Sequence, residues 1–389
     1  MPVVHERFDD FPAYPLAEVP RIRRELRARG VDVIDLGAGD ADLAPPPQAV
    51  EALKRAADDP SLGKYAFQLG HVALRESLAG WMDKRFGVAV DPMDDLLPLL
   101  GSKEGIAHLA FGYVGPGDVT IVPDPGYQPY RGGTLLAGGE PYRVPLRPEH
   151  DFLVPFEAIP DDVAARTRIV YLNYPNNPTA AAAPCEYLQQ AVAWCRAHDA
   201  VLCYDNAYSE VAFDGYLPPS ILEIEGARDV VIEFHSFSKT YNMTGWRVGW
   251  AVGNAGIIAA LKRVKTFVDT GHFMAVQEGA RAAVDAYDDW VPGNVATFQE
   301  RRDAAVAALR AQGFEVNPPR ATMYLWVPVP GGEPSEPFAL RALEQEGVVI
   351  MPGAALGTGG EGFFRIALTA GPDRLEEAAE RLGRVIGGS

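Results

Sequence analysis

Ser236-Phe237-Ser238-Lys239-Thr240-Tyr241-Asn242-Met243-Thr244-Gly245-Trp246-Arg247 follows directly on Val230-Val231-Ile232-Glu233-Phe234-His235. The second stretch is a short, nearly continuous apolar run, which reads as a buried strand. Hydroxyls, a lysine and an arginine therefore arrive just beyond a strand end, where open α/β sheets bind their ligands. A lysine there can act as a covalent amine. Ser236, Ser238 and Arg247 suit a phosphate. The same residues would also make an ordinary solvated loop with a surface lysine and a paired arginine. The rest of the chain decides between the two readings.

Outward from this stretch the pattern repeats. Buried-strand runs occur at Leu96 to Leu100, Val119 to Val122, Tyr142 to Leu146, Arg168 to Asn173, Val201 to Asp205 and Arg247 to Val252. Helical stretches are expected near 48–57, 71–86, 106–113, 127–137, 185–198 and 255–270. Continuous apolar strands alternating with helices predict an α/β fold with a mainly parallel sheet flanked by helices. Polar residues stand at successive strand ends: Asp124 and Tyr127, Asn173, Asn176 and Asn177, Asp205 and Tyr208, then Ser236 and Lys239. Together these predict one cleft.

After about residue 280 the texture changes. A helix near 294–312 precedes strands at Tyr324 to Val327, Val348 to Met351 and Phe363 to Leu368, with a loop from Gly331 to Pro337 and a last helix from Pro372 to about Ile386. This predicts a smaller α+β domain. A strand from Val31 to Leu36 and an amphipathic helix from Leu16 to Arg29, whose basic face reads as a solvated one, are assigned to it. The expected division is a large domain over 45–285 and a small one over 1–44 and 286–389. A chain of 389 residues has room for both.

Bulk composition narrows the function. The net charge is −17, from 35 basic and 52 acidic residues, which argues against nucleic acid or an anionic membrane as the main partner. Cys185, Cys195 and Cys203 fit no zinc spacing, and the seven histidines form no metal-ligand pair, so no metal is expected. The start of the chain shows no signal pattern, and no uncharged run is long enough to span a bilayer, so a cytoplasmic location is expected. Gly37-Ala38-Gly39 opens like a dinucleotide loop, but no third glycine or helix follows. Gly101-Ser102-Lys103-Glu104-Gly105 sits between a strand and a helix, as an anion site does, yet lacks the signature of a nucleotide P-loop.

If the partner of Lys239 is pyridoxal phosphate, the sequence offers each part of its site. Gly101, Ser102, Lys103, Ser236, Ser238 and Arg247 could cradle the phosphate, within the turn that also holds Glu104. Asp205 could face the pyridine nitrogen and keep it protonated. Tyr208 or Asn177 could reach the ring oxygen, and Tyr127 could stack on the ring. Arg365 could clamp a substrate carboxylate. Singly, each has an ordinary reading, as a cap, a turn, a core aromatic or an ion pair.

Ser236-x-Ser-Lys239 with Gly245-Trp-Arg247, Asn176-Asn-Pro-Thr179, Asp205-x-x-Tyr208, Pro125-Gly-Tyr127 and Phe364-Arg-Ile366 resemble the class I aminotransferases of fold type I. The resemblance runs from Val33 to the last helix. Gly101 to His108, Glu233 to Arg247, Ala207 to Tyr216 and Pro352-Gly353 are similar to the LL-diaminopimelate aminotransferase branch, which also includes enzymes acting on alanine, aspartate or glutamate.

The resemblance implies a pyridoxal-phosphate enzyme moving an amino group between an amino acid and a 2-oxo acid. Lys239 would hold the cofactor as a Schiff base and then carry a proton. Asp205 would pair with the pyridine nitrogen, while Tyr208 and Asn177 would bind the ring oxygen. Ser102, Lys103, Ser236 and Arg247 would hold the phosphate. Tyr65 would reach the phosphate of a neighbouring subunit, which implies a homodimer with shared sites. Arg365, Asn177 and the backbone of Gly37 would bind the substrate α-carboxylate.

Three positions depart from the family pattern: Ala41 replaces a proline, Ala180 a glycine and Leu356 a phenylalanine. Other chemistry on the same scaffold, such as β-elimination, decarboxylation or racemisation, stays open. A non-enzymatic ligand-sensing module would need an attached DNA-binding segment, for which the start at Met1 is expected to leave no room.

Overall fold

The computed structural model describes residues 3, 4, 8, 11, 19–66 and 70–387 of the chain. Residues 16–18 of the predicted first helix, and 67–69 of the predicted loop after Tyr65, lie outside the described residues.

Twelve strands are described: β1 Ile34–Asp35, β2 Leu96–Leu99, β3 Val119–Asp124, β4 Glu140–Pro145, β5 Thr167–Leu172, β6 Val201–Asp205, β7 Val231–Ser236, β8 Gly249–Gly253, β9 Tyr324–Pro328, β10 Val348–Val349, β11 Met351–Pro352 and β12 Phe363–Ala367. Seven of them form the central sheet, in the order β2-β8-β7-β6-β5-β3-β4. Only β8 runs against its neighbours, so the sheet is mainly parallel.

Both faces of the sheet are covered, which is why its strands lack the polar alternation of a half-exposed sheet. Along β6, Leu202 and Tyr204 enter the core on one face while Val201 and Cys203 enter the core on the other. Helices Ser102–Tyr113, Gln128–Ala137 and Ala255–Val268 supply the second of these faces, and Val72–Phe86, Cys185–Ala197 and Met274–Asp285 the first. A fully buried leucine such as Leu202 contributes about 1.5–3 kcal/mol.

The chain runs from β3 outward to β4, then returns to β5 on the opposite side of β3. That reversal opens a crevice at the carboxyl ends of the parallel strands, where Asp124, Asn173, Asp205 and Ser236 lie.

The C-terminal part builds its own core. Strands β11, β12 and β9 form an antiparallel sheet, and β1 pairs in parallel with β10. Helices Ser335–Glu346 and Pro372–Gly387 pack on this part, as does the later half of Tyr287–Ala311. Leu26 of helix Val19–Ala28 packs against Leu343 and Val349, so the N-terminal segment belongs to the same body of contacts.

Several expectations need correction. Helices Met274–Asp285 and Ser335–Glu346 were not predicted, and the second begins inside the predicted 331–337 loop. Tyr287–Ala311 starts before the predicted 294 and carries Pro292 within it. Of the predicted 31–36 strand, only Ile34–Asp35 forms a strand, with Leu36 continuing the backbone bonding to Val349 and Ala367. Arg247 lies before β8, in a left-handed turn with φ +57°, rather than on the strand.

Candidate active site

Strand β7 ends at Ser236, whose hydroxyl accepts the N–H of Ser238 at 3.2 Å and so starts a single helical turn, Phe237–Thr240. That turn holds Lys239 at the strand mouth. Its ammonium donates to the carbonyl of Gly39. A Cβ on Gly39 would lie 1.9 Å from the Tyr324 hydroxyl, so no larger residue allows this approach.

The anion cradle rests on two turns. In one, Arg247 donates to the carbonyl of Thr244 at 2.8 Å. Its guanidinium fills the space where a Cβ on Gly101 would stand, 2.5 Å from Nη2. Gly101 also has φ +79°, so both shape and backbone call for glycine. In the other turn, Ser102 opens the helix Ser102–Tyr113, and its backbone N–H points free of helical bonding. Gly249 permits this packing, because a Cβ there would sit 2.6 Å from the Ser102 nitrogen. A helix N-terminus facing an arginine and hydroxyls is suited to a phosphate-sized anion.

Asp205, at the end of β6, is 4% exposed. Its Oδ2 accepts from the Tyr130 hydroxyl at 2.8 Å, while Oδ1 has no hydrogen-bond partner among the described residues. Burial pushes its carboxyl up to about 6, against the opposing pull of the Tyr130 bond, of the nearby Ala207 backbone N–H and of His235. A buried, half-satisfied carboxylate wants one more donor, and a positively charged N–H suits it best.

A hydrogen-bonded chain links Asp205 to the C-terminal sheet. Asn173 donates to the carbonyl of Asp205 at 2.7 Å and accepts the N–H of Asn177 at 2.7 Å. Asn177 accepts from Arg365 at 2.7 Å, and Arg365 also donates to the carbonyl of Gly37 at 2.8 Å. The Arg365 guanidinium lies 4.1 Å from the centre of the Tyr324 ring. The Tyr208 and Tyr324 hydroxyls are 3.3 Å apart. Burial holds the Tyr208 phenol well above its ordinary value. Burial also opposes ionisation of Tyr324, but the cations of Lys239 and Arg365 outweigh it and hold that phenol below its ordinary value.

The cleft encloses about 320 Å³. Its walls include Ser102, Lys103, Tyr127, Asn177, Asp205, Tyr208, Ser236, Ser238, Lys239, Arg247 and Arg365. The lining thus carries the cations of Lys103, Lys239, Arg247 and Arg365 against the carboxylate of Asp205. Tyr127 faces the cleft beside Lys103, whose ammonium is 5.8 Å from its ring centre. A neighbouring cavity of about 600 Å³ shares Tyr127 and Leu356 with the cleft and extends past Gly132 and Leu136.

Three predicted residues stand apart from the walls. Gly37 offers its carbonyl to Arg365, while its N–H donates to Asp35 at 3.2 Å. Tyr65 is 69% exposed, outside the cleft of its own chain. Glu104 is not among the cleft walls, and its side chain binds Lys265 at 3.0 Å and His108 at 2.8 Å. Burial would raise its carboxyl, but those two partners hold it below the usual range.

Sequence reasoning missed Tyr130, Asn173 as a linker, and Tyr324. Tyr130 was within reach, since it lies one helical turn beyond Tyr127 and shares its face. Tyr324 opens a strand and reads as core.

The family model for aminotransferase class I and II matches residues 31–382. The LL-diaminopimelate aminotransferase of Desulforudis audaxviator is 48% identical over 98% of this chain and 97% of its own. That of Moorella thermoacetica is 46% identical over 98% of each. Among solved structures, substrate-bound BacF of Bacillus subtilis superposes with a TM-score of 0.93 at 32% identity, covering 99% of this chain and 98% of its own. A probable N-succinyldiaminopimelate aminotransferase of Thermus thermophilus gives a TM-score of 0.90 at 37% identity, covering 95% of this chain and 99% of its own. By sequence along nearly its whole length, and by the fold that carries its cleft, this chain belongs to the class I and II aminotransferases.

Proposed function

We propose that this aminotransferase uses pyridoxal phosphate, takes LL-diaminopimelate as amino donor, and passes the amino group to 2-oxoglutarate. The observation that carries the cofactor assignment is the pairing, in one cleft, of the Lys239 amine with the unpartnered Oδ1 of Asp205. A protonated pyridine nitrogen is the donor that oxygen lacks. Ser102, Ser236, Ser238 and Arg247 would hold the phosphate, Tyr208 and Asn177 the ring oxygen, and Tyr127 the ring face. Bound there, the cofactor supplies an electron sink for the carbanion left when the donor's α-proton departs.

The chain's own residues do the rest. Lys239 Nζ takes the α-proton and returns it at a neighbouring atom, acting as base and then acid. Arg365 offers its fork to the α-carboxylate, held flat by the Tyr324 ring and steered by Asn177 and Gly37. Asp205 stays ionised when a positive partner arrives, because that charge offsets the cost of its burial.

The donor assignment rests on the names of the relatives above. The neighbouring cavity leaves space for a long side chain beyond the cofactor. A homodimer in which Tyr65 serves the other copy's phosphate fits the exposed position of that residue. Closure of the 1–44 and 286–389 unit over the 45–285 unit would bring Arg365 onto the substrate.

A donor panel tests the reading. LL-diaminopimelate, glutamate, aspartate and alanine are each supplied with a 2-oxo acid acceptor, 2-oxoglutarate for all but glutamate, and the transferred amino group is measured. LL-diaminopimelate should give the highest kcat/KM, and Lys239→Ala should give no turnover. Release of ammonia or CO₂ without a 2-oxo acid requirement would reject the proposal, as would normal turnover by the lysine variant.

A further inference from the structure

Outside the cleft, Lys265 is buried to a degree that lysine seldom tolerates, with its side chain 1% exposed near the end of helix Ala255–Val268. Its ammonium lies 3.0 Å from both oxygens of Glu104 and 3.0 Å from both oxygens of Asp269. Glu104, His108 and Asp269 have the composition of a cation site. The ammonium occupies the position between the two carboxylates, so the lysine itself is the cation.

The two carboxylates lead to the two turns of the anion cradle. Glu104 accepts the N–H of Leu100 at 3.2 Å and thereby braces the turn that presents Gly101 and Ser102. Asp269 accepts the N–H of Gly271 at 2.8 Å. The next residue, His272, places Nε2 3.0 Å from the carbonyl of Trp246, which precedes Arg247. Glu104 also sits in the first turn of the Ser102–Tyr113 helix. A bare carboxylate there would repel an anion bound at the helix N-terminus.

We propose that Lys265 is a positioning residue for the cofactor phosphate: it ties the 100–102 turn to the 244–247 turn and offsets part of the negative charge that Glu104 and Asp269 carry. This rests on the reading of the cleft as a pyridoxal-phosphate site.

The test compares holoenzymes by equilibrium dialysis against pyridoxal phosphate and against pyridoxal, which lacks the phosphate. Lys265→Met should weaken retention of pyridoxal phosphate by about tenfold or more, and of pyridoxal by less than about twofold. Lys265→Met with Glu104→Gln should recover most of that difference. Glu104→Gln alone keeps the bond to Leu100 and removes the charge. It should raise phosphate-dependent retention about threefold or more, and it answers the question should the methionine variant fail to fold. Equal weakening of both ligands, unchanged retention in the folded Lys265→Met protein, or lower phosphate-dependent retention in Glu104→Gln overturns the proposal. If the parent protein retains neither ligand, the cofactor reading falls and the proposal falls with it.

Discussion

Replacing Asp205 by Asn should stabilise the protein when no cofactor is bound, and the gain should depend on pH in one direction. Burial raises the Asp205 carboxyl from an ordinary 3.8 to about 6. The folded state therefore holds its proton more tightly than the unfolded chain does. That preference favours folding fully below about pH 4 and is lost as the pH rises through about 6. Above this window the folded protein carries a buried, half-paired negative charge, at a cost of about 3 kcal/mol for a shift of about two pH units. Asparagine is neutral at every pH and can still accept from the Tyr130 hydroxyl. Relative to the parent, the variant should gain the full amount at pH 8 and about half of it at pH 5. Urea midpoints of cofactor-stripped parent and variant at the two pH values measure this. Burial of the amide adds an offset, but that offset is the same at both pH values. A stability difference that is flat between pH 5 and 8, or one that shrinks toward pH 8, would refute the reasoning. Adding pyridoxal phosphate should then favour the parent, because a protonated ring nitrogen offsets the charge.

Gly39→Ala drives a methyl into the Tyr324 hydroxyl, 1.9 Å from its ideal position, and should cost about 1–3 kcal/mol by thermal unfolding, with a parallel fall in kcat/KM. Ala180 holds φ +58° where glycine would be at ease, so Ala180→Gly should raise stability by about 0.5–1 kcal/mol in denaturant titration, net of glycine's greater chain entropy. Arg365→Lys keeps the charge but loses the fork that spans Asn177 and Gly37, and KM for the amino donor should rise about 10-fold to 100-fold. Retention of pyridoxal phosphate by that variant, followed by dialysis, should not change.

Much of the sheet could be read from the sequence because its strands are buried on both faces and so appear as apolar runs. Helix Met274–Asp285 escaped for the opposite reason. It packs so closely on Pro47–Ala57 that a Cβ on Gly279 would lie 3.0 Å from the Ala49 carbonyl. Such an interface is built from alanine and glycine, so the usual stripe of large apolar residues is missing. Helix Ser335–Glu346 begins amid Gly331, Gly332, Pro334 and Pro337, residues that individually signal a loop. In the site, the residues placed by short motifs at strand ends were legible: Lys239, Asp205, Tyr208 and Asn177. What the sequence hides is the direction of a side chain. Glu104 lies beside Ser102 and Lys103 in the chain, yet its carboxylate pairs with the buried Lys265, 161 residues away, instead of lining the cleft. Tyr324 meets Gly39 and Tyr208 only because the C-terminal sheet folds back over the cleft.

The cluster of Lys103, Lys239, Arg247 and Arg365 lies inside a chain whose net charge is −17. An acidic substrate thus meets two fields of opposite sign. Far from the surface it is repelled by the protein as a whole, and within the mouth it is drawn inward. Salt separates the two, since the screening length is about 10 Å at 0.1 M and acts mainly on the distant charges. Raising ionic strength from very low values should therefore quicken the capture of a dianionic 2-oxo acid, the reverse of the usual salt effect on a cationic site, while the grip of Arg365 at close range changes little.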